Sequence, residues 1–416
     1  MHLSAEKRIN DSIYGSVSLT RQELKLIDTP IFQRLHQIKQ LGPAYYVYPG
    51  ATHTRFAHSI GTMHLTSQFF SALKKSAGGA AAGGYDLEKL RIAALLHDLG
   101  HAPYSHTAEK AILKLGGMSH EEFGAHLVKN FMADRIETYK PSEISALFSG
   151  KAGTSVLISS ALDADKADYL IRDSYNTGVP YGRVSIQRLI RTISYTKNGI
   201  LFEKDEIAAE DFLIGRYHMY RAVYQHKTVT SFSLMFEKIF ENLAVEGYLP
   251  HPKDLVKEQD EYVLAGYTDN MVLSSMQDYL KSGTDQFTKR LIRLFLGREP
   301  LECIYQNPQP SSRGKIPKDV SLIKKLESET ERASLAEAAG LSEEEIFPAI
   351  MRPLSLIEDK TNVYVNVNGK QKPITESKGL VLNMIGSKTL YEARVYAMPG
   401  SGKRLSIALG RYLSSG

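Results

Sequence analysis

Apolar side chains recur at helical spacing along much of the chain. Over residues 55–75 the period is near 3.6 and Thr54 can cap the helix, whose inward stripe is Phe56, Ile60, Met63, Ser67 and Phe70. A second apolar helix starts after Asp86, a suitable cap, and Gly100 is suited to the position that ends it. The same periodicity predicts helices from about residue 20 and over 31–41, 106–115, 155–178, 210–245 and 254–300, and a capping box at Ser119 opens one more.

Strand patterns are confined to short stretches. A strand or hairpin is predicted around residues 13–17, and an extended aromatic segment over 45–50. Residues 362–369 alternate and end in a hairpin-type Asn-Gly, and residues 390–396 form another strand. The Gly/Ala tract 77–84 predicts a flexible connector, and the Pro/Ser-rich stretch 306–312 predicts a linker. The fold class is therefore mostly α, with a helical body over 1–305 (catalytic core about 50–245) and a small α+β part over 306–416.

Composition narrows the class of protein without fixing its activity. The chain has 416 residues, 43% hydrophobic and 23% charged, and its net charge of +5 suits nucleotide phosphates as well as nucleic acid. No apolar run approaches the roughly 20 residues that span a bilayer, and the N-terminus lacks the apolar core of a signal peptide. The single cysteine, Cys303, fits a reducing compartment, so we expect a cytoplasmic protein without a membrane partner.

Histidines and carboxylates cluster in the first half of the chain. Eight of the 13 histidines lie between His53 and His126. The helix that begins after residue 86 delivers His97 and Asp98 at its last turn, with His101 and His106 on the loop beyond. Together with His58 and a later carboxylate, this pair forms an N/O set that suits Mn, Fe, Zn or, less well, Mg. A hydrogen-bonded core pair is the alternative reading of such a dipeptide.

Two polar stripes on later helices complete the candidate chemistry. The first stripe carries Asp165, the natural fourth ligand, and continues with Tyr169, Arg172 and Asp173. The second carries Arg216, Tyr220 and Tyr224. A solvated helix face and a plain aromatic core are the alternatives. No glycine-rich phosphate loop, paired-cysteine zinc site or nucleophile elbow is present, so side chains must hold any phosphate.

Several motifs occur in an order that resembles the HD-domain phosphohydrolases. They are Ile27-Asp28-Thr29-Pro30, Phe32-Gln33-Arg34-Leu35, Gln40-Leu41, Tyr45-Tyr46-Val47-Tyr48-Pro49-Gly50-Ala51, Thr54-Arg55-Phe56-Ala57-His58-Ser59-Ile60-Gly61, Leu96-His97-Asp98-Leu99-Gly100-His101, Asp165-Lys166-Ala167-Asp168-Tyr169 and Tyr224-Gln225-His226-Lys227. The resemblance covers roughly residues 7–245 and is strongest to the branch of deoxynucleoside triphosphate triphosphohydrolases that includes the vertebrate enzyme with a sterile-alpha-motif domain.

That resemblance implies a role for each candidate residue. One divalent ion (Mn, Fe, Zn or Mg) would be held by His58, His97, Asp98 and Asp165. His101, His106 and His120 would handle the proton and the attacking water, with Glu121 orienting an imidazole. The substrate would contact Gln40, Leu41, Arg55, Lys166, Tyr169, Asp173, Arg216, Tyr220, Tyr224 and Gln225. Two positions depart from the vertebrate pattern: Glu109 replaces an aspartate, and Tyr220 replaces a histidine.

The implied activity is metal-dependent hydrolysis of a deoxynucleoside triphosphate to deoxynucleoside and triphosphate. Alternatives are a nucleotide phosphohydrolase that releases phosphate or pyrophosphate, and a nucleotide-sensing or nucleic-acid-binding protein with weak or no turnover. The resemblance also implies a homo-oligomer, dimer or tetramer, with a regulatory nucleotide near Asn10, Asp28 and Gln33. His36 replaces an arginine that holds this activator in the vertebrate relative.

Overall fold

A computed structural model describes residues 3–75, 86–151, 153–160, 162–196, 199–202, 206–356, 363–367, 370–376 and 388–415. The predicted connector over 77–84 lies outside these residues. No helix among them is both long and apolar enough to cross a membrane.

Helices dominate the first three hundred or so residues. They are α1 (Arg21–Ile27), α2 (Pro30–Gln33), α3 (Arg55–Lys75), α4 (Leu87–Leu96), α5 (His106–Lys114), α6 (His120–Phe131), α7 (Pro141–Phe148), α8 (Ala164–Thr177), α9 (Ile186–Thr192), α10 (Glu206–Met219), α11 (Lys227–Val245), α12 (Pro252–Leu255), α13 (Glu261–Ala265), α14 (Asp269–Ser282) and α15 (Gln286–Leu296). The remaining helices are α16 (Lys318–Lys325), α17 (Glu329–Ala339) and α18 (Gly402–Ser415).

The strands of the described residues pair into small sheets. An N-terminal hairpin pairs β1 (Lys7–Asp11) with β2 (Gly15–Leu19). A sheet in the order β3-β4-β8-β9 joins β3 (Ile193–Thr196) and β4 (Gly199–Phe202) to β8 (Val363–Val367) and β9 (Lys370–Pro373), with β4 and β8 parallel. The third sheet has the order β5-β10-β6 and contains β5 (Glu302–Ser312), β10 (Lys388–Ala397) and β6 (Ile346–Ile350), while β7 (Leu354–Ser355) also pairs with β10.

Helix α3 lies at the centre of the main core and packs against α4 and α8. Its apolar stripe is buried as predicted, apart from the half-buried Ser67, and its opposite face is buried as well because α8 covers it. The contact is close at Gly61, where an added Cβ would lie 1.9 Å from the Asp168 carboxylate. A glycine there lets the polar side chains of α8 reach the face of α3 that carries His58.

Local signals predicted several helix starts correctly. Thr54 accepts from the amide of Ala57 at the start of α3, Asp86 caps α4, and Ser119 forms a capping box with Glu122 in α6. The predicted helix over 31–41 is shorter: α2 passes into a 3-10 turn over Arg34–Gln37. The segment 45–50, expected to be extended, begins inside a second 3-10 turn over Gly42–Tyr46, and the predicted helix over 155–178 starts only at α8.

The expected linker over 306–312 is wrong, because these residues lie in β5 and pair with β10. Pro308 and Pro310 lack an N–H, which excludes them from a central strand but not from the edge strand that β5 forms. Residues of the C-terminal part, among them Phe347, Val365 and Tyr396, belong to the same apolar core as α3. The division at residue 305 stays a prediction.

Candidate active site

A cavity of about 1170 Å³ opens between α3, α5, α8 and α10. Most of the predicted site residues line it: Gln40, Leu41, Arg55, His97, Asp98, His101, His106, His120, Glu121, Asp165, Lys166, Tyr169, Asp173, Arg216, Tyr220 and Tyr224. Residues from sequence positions more than a hundred apart therefore meet at one place. We consider this cavity the candidate active site.

The predicted metal ligands meet at one end of the cavity. His58 Nε2 is 3.1 Å from Asp165 Oδ1 and 3.6 Å from Asp98 Oδ2. His97 Nε2 is 3.3 Å from Asp98 Oδ1 and 3.6 Å from Asp165 Oδ1. One ligand atom each from His58, His97 and Asp165 lies within 4.8 Å of the others, which is the spacing of a cation site. His58 lies beneath the cavity surface, whereas the other three line it.

In both His58 and His97, the contact made by Nδ1 fixes the orientation of the imidazole. His58 Nδ1 lies 2.7 Å from Asp168 Oδ2, and that carboxylate accepts two hydrogen bonds from Arg172. His97 Nδ1 donates to the carbonyl of Ala94, while its buried Nε2 has no hydrogen-bond partner among the described residues. Such contacts select the tautomer in which Nε2 carries a lone pair for a metal. The donor set therefore fits a divalent cation.

Electrostatics at this end favour positive charge. Burial lowers the pKa of His58, but hydrogen bonds to Asp165 and Asp168 outweigh it and raise the pKa to about 10. Burial raises the pKa of Asp98, but Arg55, whose Nη1 is 2.6 Å from the carboxylate, holds it well below its usual range. Ionised carboxylates thus surround the point where His58 and His97 meet.

Three histidines form a second cluster next to the first. The rings of His101 and His120 stack at 4.3 Å, and His106 meets both edge to face. Burial and the nearby Arg55 lower the pKa of His101 well below its usual range, so this imidazole is neutral. One nitrogen from each histidine lies within 4.8 Å of the others, so the cluster also has the spacing of a cation site.

The carboxylate that orients these histidines is Glu109. Its Oε1 is 2.5 Å from His120 Nδ1, and its Oε2 is 3.1 Å from His106 Nδ1. Glu121, expected in this role, is exposed at the cavity rim and makes no hydrogen bond or ion pair to a histidine among the described residues. Residue 121 follows His120 in the first turn of α6 and points away from it. His106, expected on a loop, is the first residue of α5.

Another part of the cavity lining is aromatic. Tyr169 and Tyr224 meet edge to face at 6.1 Å, and Tyr220 meets Tyr224 at 4.9 Å. The Tyr224 hydroxyl donates to Asp173, whose other oxygen lies 2.7 Å from His53 Nε2. The tyrosines and Asp173 therefore line the same cavity as Asp98 and Asp165.

Two cations also line the cavity. Lys166 lies 3.1 Å from Asp163, and although burial lowers its pKa, Asp163 and Asp165 raise it, so the ammonium stays charged. Arg216 is buried in α10 near Lys166. Gln40, from the wall facing them, has a buried Oε1 without a hydrogen-bond partner among the described residues, which leaves an acceptor for a ligand.

The predicted helix over 210–245 is interrupted at the site. A π-helical turn over Tyr220–Tyr224 separates α10 from α11. Gln225 follows this turn and does not line the cavity, in contrast to its predicted role. Its side-chain amide instead donates to the carbonyl of Arg352, and the Arg352 guanidinium donates to the Tyr220 hydroxyl at the cavity rim.

Four residues contribute to the candidate site in roles that the sequence did not predict: His53, Glu109 as the orienting carboxylate, Asp168 and Arg352. Spacing could have found two of them, because Glu109 lies three residues after His106 and Asp168 four residues before Arg172. His53 and Arg352 give no local signal, since each partner is distant in the sequence. The residues of the predicted regulatory site, Asn10, Asp28, Gln33 and His36, are exposed and away from the cavity.

The chain matches two protein families and is similar to several known proteins. The HD domain family matches residues 55–173, and the HD associated region family matches 184–414, more than half of the chain. Protein MJ1154 of Methanocaldococcus jannaschii is 40% identical over 238 residues, covering 56% of this chain and 49% of that protein. The deoxynucleoside triphosphate triphosphohydrolase SAMHD1 homolog of Dictyostelium discoideum is 31% identical over 280 residues, covering 62% and 54%.

A solved structure extends the likeness to almost the whole chain. The crystal structure of a phosphohydrolase from Bacteroides thetaiotaomicron has a TM-score of 0.72 at 25% identity, covering 94% of this chain and 99% of that chain. The chain spans 49–59% of the length of the first curated relatives it matches. The family match reaches residue 414, well beyond the resemblance at 7–245. From these matches and the clustered His and Asp residues, the chain belongs to the HD-domain phosphohydrolase family and carries its HD associated region.

Proposed function

We propose that this protein hydrolyses deoxynucleoside triphosphates to deoxynucleoside and triphosphate. One observation carries the proposal: a single cavity joins the His58–His97–Asp98–Asp165 cluster to buried cations and to the aromatic wall around Tyr169. In their chemistry these three sets of groups match the phosphates, sugar and base of one nucleotide. The relative from Dictyostelium is named a deoxynucleoside triphosphate triphosphohydrolase, and this similarity supports our choice of substrate class.

We assign the divalent cation to His58, His97, Asp98 and Asp165. A cation held there supplies Lewis-acid stabilisation of phosphate oxygens. Lys166 and Arg216 add positive charge beside it, and the histidine cluster adds hydrogen-bond donors. Such groups are needed because a triphosphate carries several negative charges.

The chain's own groups account for the proton transfers. In the proposed reaction water attacks the α-phosphorus, the bond to the 5′ oxygen breaks, and that oxygen takes up a proton. Because Nδ1 of both His106 and His120 lies against Glu109, Nε2 of either ring is left to exchange a proton with the reactants. His101 is neutral and a weak base because its pKa is lowered, and its Nε2 lies 3.2 Å from Asp98 Oδ1, so we assign it to positioning the water and not to taking its proton.

Product analysis tests the proposal. The purified protein is incubated with each of the four deoxynucleoside triphosphates and Mn²⁺, and the products are separated by ion-exchange chromatography. Deoxynucleoside and intact triphosphate in equal amounts are expected. Phosphate, pyrophosphate or no product would favour another nucleotide phosphohydrolase or a nucleotide-sensing protein.

The metal assignment has its own test. Asp98→Asn keeps the shape of the side chain but removes the charge that faces both His58 and His97. We expect it to abolish activity and most of the bound Mn²⁺, measured by elemental analysis after dialysis. Asp285→Asn, at the cap of α15, is the control and should load metal like the unmodified protein. A fully loaded Asp98→Asn protein would contradict the assignment.

A further inference from the structure

The loop that links the HD pair to α5 contains a strained turn. Tyr104 and Ser105 have φ angles of 57° and 58°, in the left-handed region that side chains rarely occupy. They lie between His101 and His106, two of the proposed catalytic residues. Surrounding contacts must hold such a turn in place, since its free energy is unfavourable in isolation.

A buried carboxylate from far along the chain makes the key contact. Asp269, the first residue of α14, is fully buried. Its Oδ1 accepts the amide of Tyr104 at 2.7 Å. Its Oδ2 accepts the amide of Lys39 at 3.1 Å and lies 3.4 Å from the Lys39 ammonium. One side chain thus ties the turn to the segment that carries Gln40.

The Tyr104–Ser105 turn also contacts residues next to the predicted metal ligands. The Ser105 hydroxyl donates to the carbonyl of Lys39 at 2.7 Å and accepts from Arg55 Nε at 2.9 Å. The same guanidinium donates to Asp98 at 2.6 Å. Displacing the turn would therefore move Arg55 and His106 relative to the metal ligands.

We propose that Asp269 is a positioning residue for hydrolysis: by holding the strained Tyr104–Ser105 turn against Lys39, it sets the distance between the catalytic histidines and the Arg55–Asp98 pair. The inference rests on the proposed function. It does not make Asp269 a ligand or a proton carrier, because the side chain does not line the cavity.

Two substitutions at one position test it. Asp269→Ala removes both acceptors, whereas Asp269→Asn keeps an oxygen for the Tyr104 amide and loses the acceptor for Lys39. We expect kcat for the best deoxynucleoside triphosphate to fall at least tenfold in Asp269→Ala and three- to tenfold in Asp269→Asn. KM should change less than threefold, and the Mn²⁺ content should stay unchanged, because the metal ligands are untouched.

Asp285→Ala provides the matched control. Asp285 is also a helix-start carboxylate, accepting the amides of Phe287 and Thr288, but it lies outside the cavity lining. We expect it to lower Tm while leaving kcat unchanged. A kcat within twofold of the unmodified protein in Asp269→Ala would overturn the proposal. If Asp269→Ala does not fold, the same result in Asp269→Asn would overturn it.

Hydrogen exchange tests this proposal independently of the proposed function. In Asp269→Ala the Tyr104 amide should exchange at least tenfold faster than in the unmodified protein, while amides of α3 keep their protection. If the unmodified protein hydrolyses no deoxynucleoside triphosphate, the proposed function fails. An unchanged exchange rate of the Tyr104 amide would show that Asp269 does not hold the turn, whatever the substrate.

Discussion

Asp168 does not line the cavity, yet its carboxylate decides which nitrogen of His58 faces the metal cluster. It lies 2.7 Å from His58 Nδ1 and is itself fixed by Arg172, which also pairs with Asp11 at 3.0 Å. Together with the buried start of α8, these contacts lock the imidazole in one orientation. A carboxylate behind a metal-binding histidine increases the basicity of the ligand.

We therefore expect Asp168→Asn to weaken Mn²⁺ binding about 10–100-fold, because the amide orients His58 less firmly and lacks the negative charge. Isothermal titration calorimetry of the metal-free protein with Mn²⁺ measures the affinity. Asp285→Asn should bind as the unmodified protein does. An unchanged affinity in Asp168→Asn would show that the contact does not support a metal ligand.

Tyr169 and Asp173 predict how the site distinguishes sugars. If the proposed function holds, we expect Asp173 to accept from the 3′-hydroxyl and the Tyr169 ring to exclude a 2′ oxygen. We expect a preference for deoxynucleotides over ribonucleotides that Tyr169→Ala reduces by about 1–3 kcal/mol, measured as the ratio of kcat/KM values. Asp173→Asn should mainly lower kcat for both, since it disturbs the contacts with His53 and Tyr224. Equal hydrolysis of ATP and dATP by the unmodified protein would contradict this reading.

At the scale of elements, the crossing of the HD loop with α6 brings His101 and His120, two of the proposed catalytic histidines, together. Helix α4 ends at Leu96, before Gly100, and Gly100 does not have the positive φ of a typical helix-ending glycine. The glycine is needed for another reason: an added Cβ would lie 2.1 Å from the carbonyl of His120 and 2.2 Å from the amide of Gly124. The absence of a side chain lets His101 stack on His120.

Gly100→Ala should push the loop away from α6. We expect a loss of about 1–3 kcal/mol in the free energy of unfolding, as for an overpacked core, together with a large fall in kcat. Gly178→Ala is the matched control, because Gly178 ends α8 at a φ of 74° with nothing near its missing Cβ. It should cost about 1–2 kcal/mol and leave kcat unchanged. Equal kcat values in the two variants would argue against the crossing as a catalytic requirement.

The π-helical turn over Tyr220–Tyr224 is a second element-scale feature. Sequence periodicity treats 210–245 as one helix, because a single inserted turn barely changes the pattern of apolar positions. In the structure the turn separates α10, which carries Arg216, from α11 and places Tyr220 and Tyr224 on the cavity wall. Such turns often occur at functional sites.

At the scale of the whole molecule, the C-terminal part contributes to the cavity of the helical body. Arg352 precedes β7, and its guanidinium lies 5.6 Å from the Tyr220 ring centroid. We expect Arg352→Ala to lower kcat/KM about fivefold, or about 1 kcal/mol, since an exposed charged hydrogen bond contributes modestly. Arg404→Ala in α18, which removes a contact to the Gly340 carbonyl, should have no effect. Steady-state kinetics measures both, and an unchanged Arg352→Ala would place this residue outside the substrate site.

Assembly and regulation stay predictions. The predicted activator residues are exposed near the N-terminal hairpin, and His36 stacks on Phe56 at 3.6 Å, where the vertebrate relative has an arginine. Light scattering measures the oligomeric state. Specific activity measured at several enzyme concentrations, with and without GTP, shows whether a nucleotide promotes an active oligomer.

The sequence by itself determined the features that depend on neighbouring residues. The span of α3, the caps at Thr54, Asp86 and Ser119, and the position of His97 and Asp98 at the end of α4 follow from periodicity and from side chains within three residues of a helix start. Local motifs, through the family resemblance they carry, also named most of the predicted residues that line the cavity, and the roles of these residues stay predictions.

Only the tertiary structure decided which distant groups meet. It placed Asp168 behind His58, Glu109 rather than Glu121 beside His120, and Asp269 beneath Tyr104. It also converted the expected linker into β5, whose partner β10 lies about eighty residues later. Hydrogen bonds and strand pairs of this kind join residues whose separation along the chain carries no periodic signal, so they form only when the packed core brings the elements together.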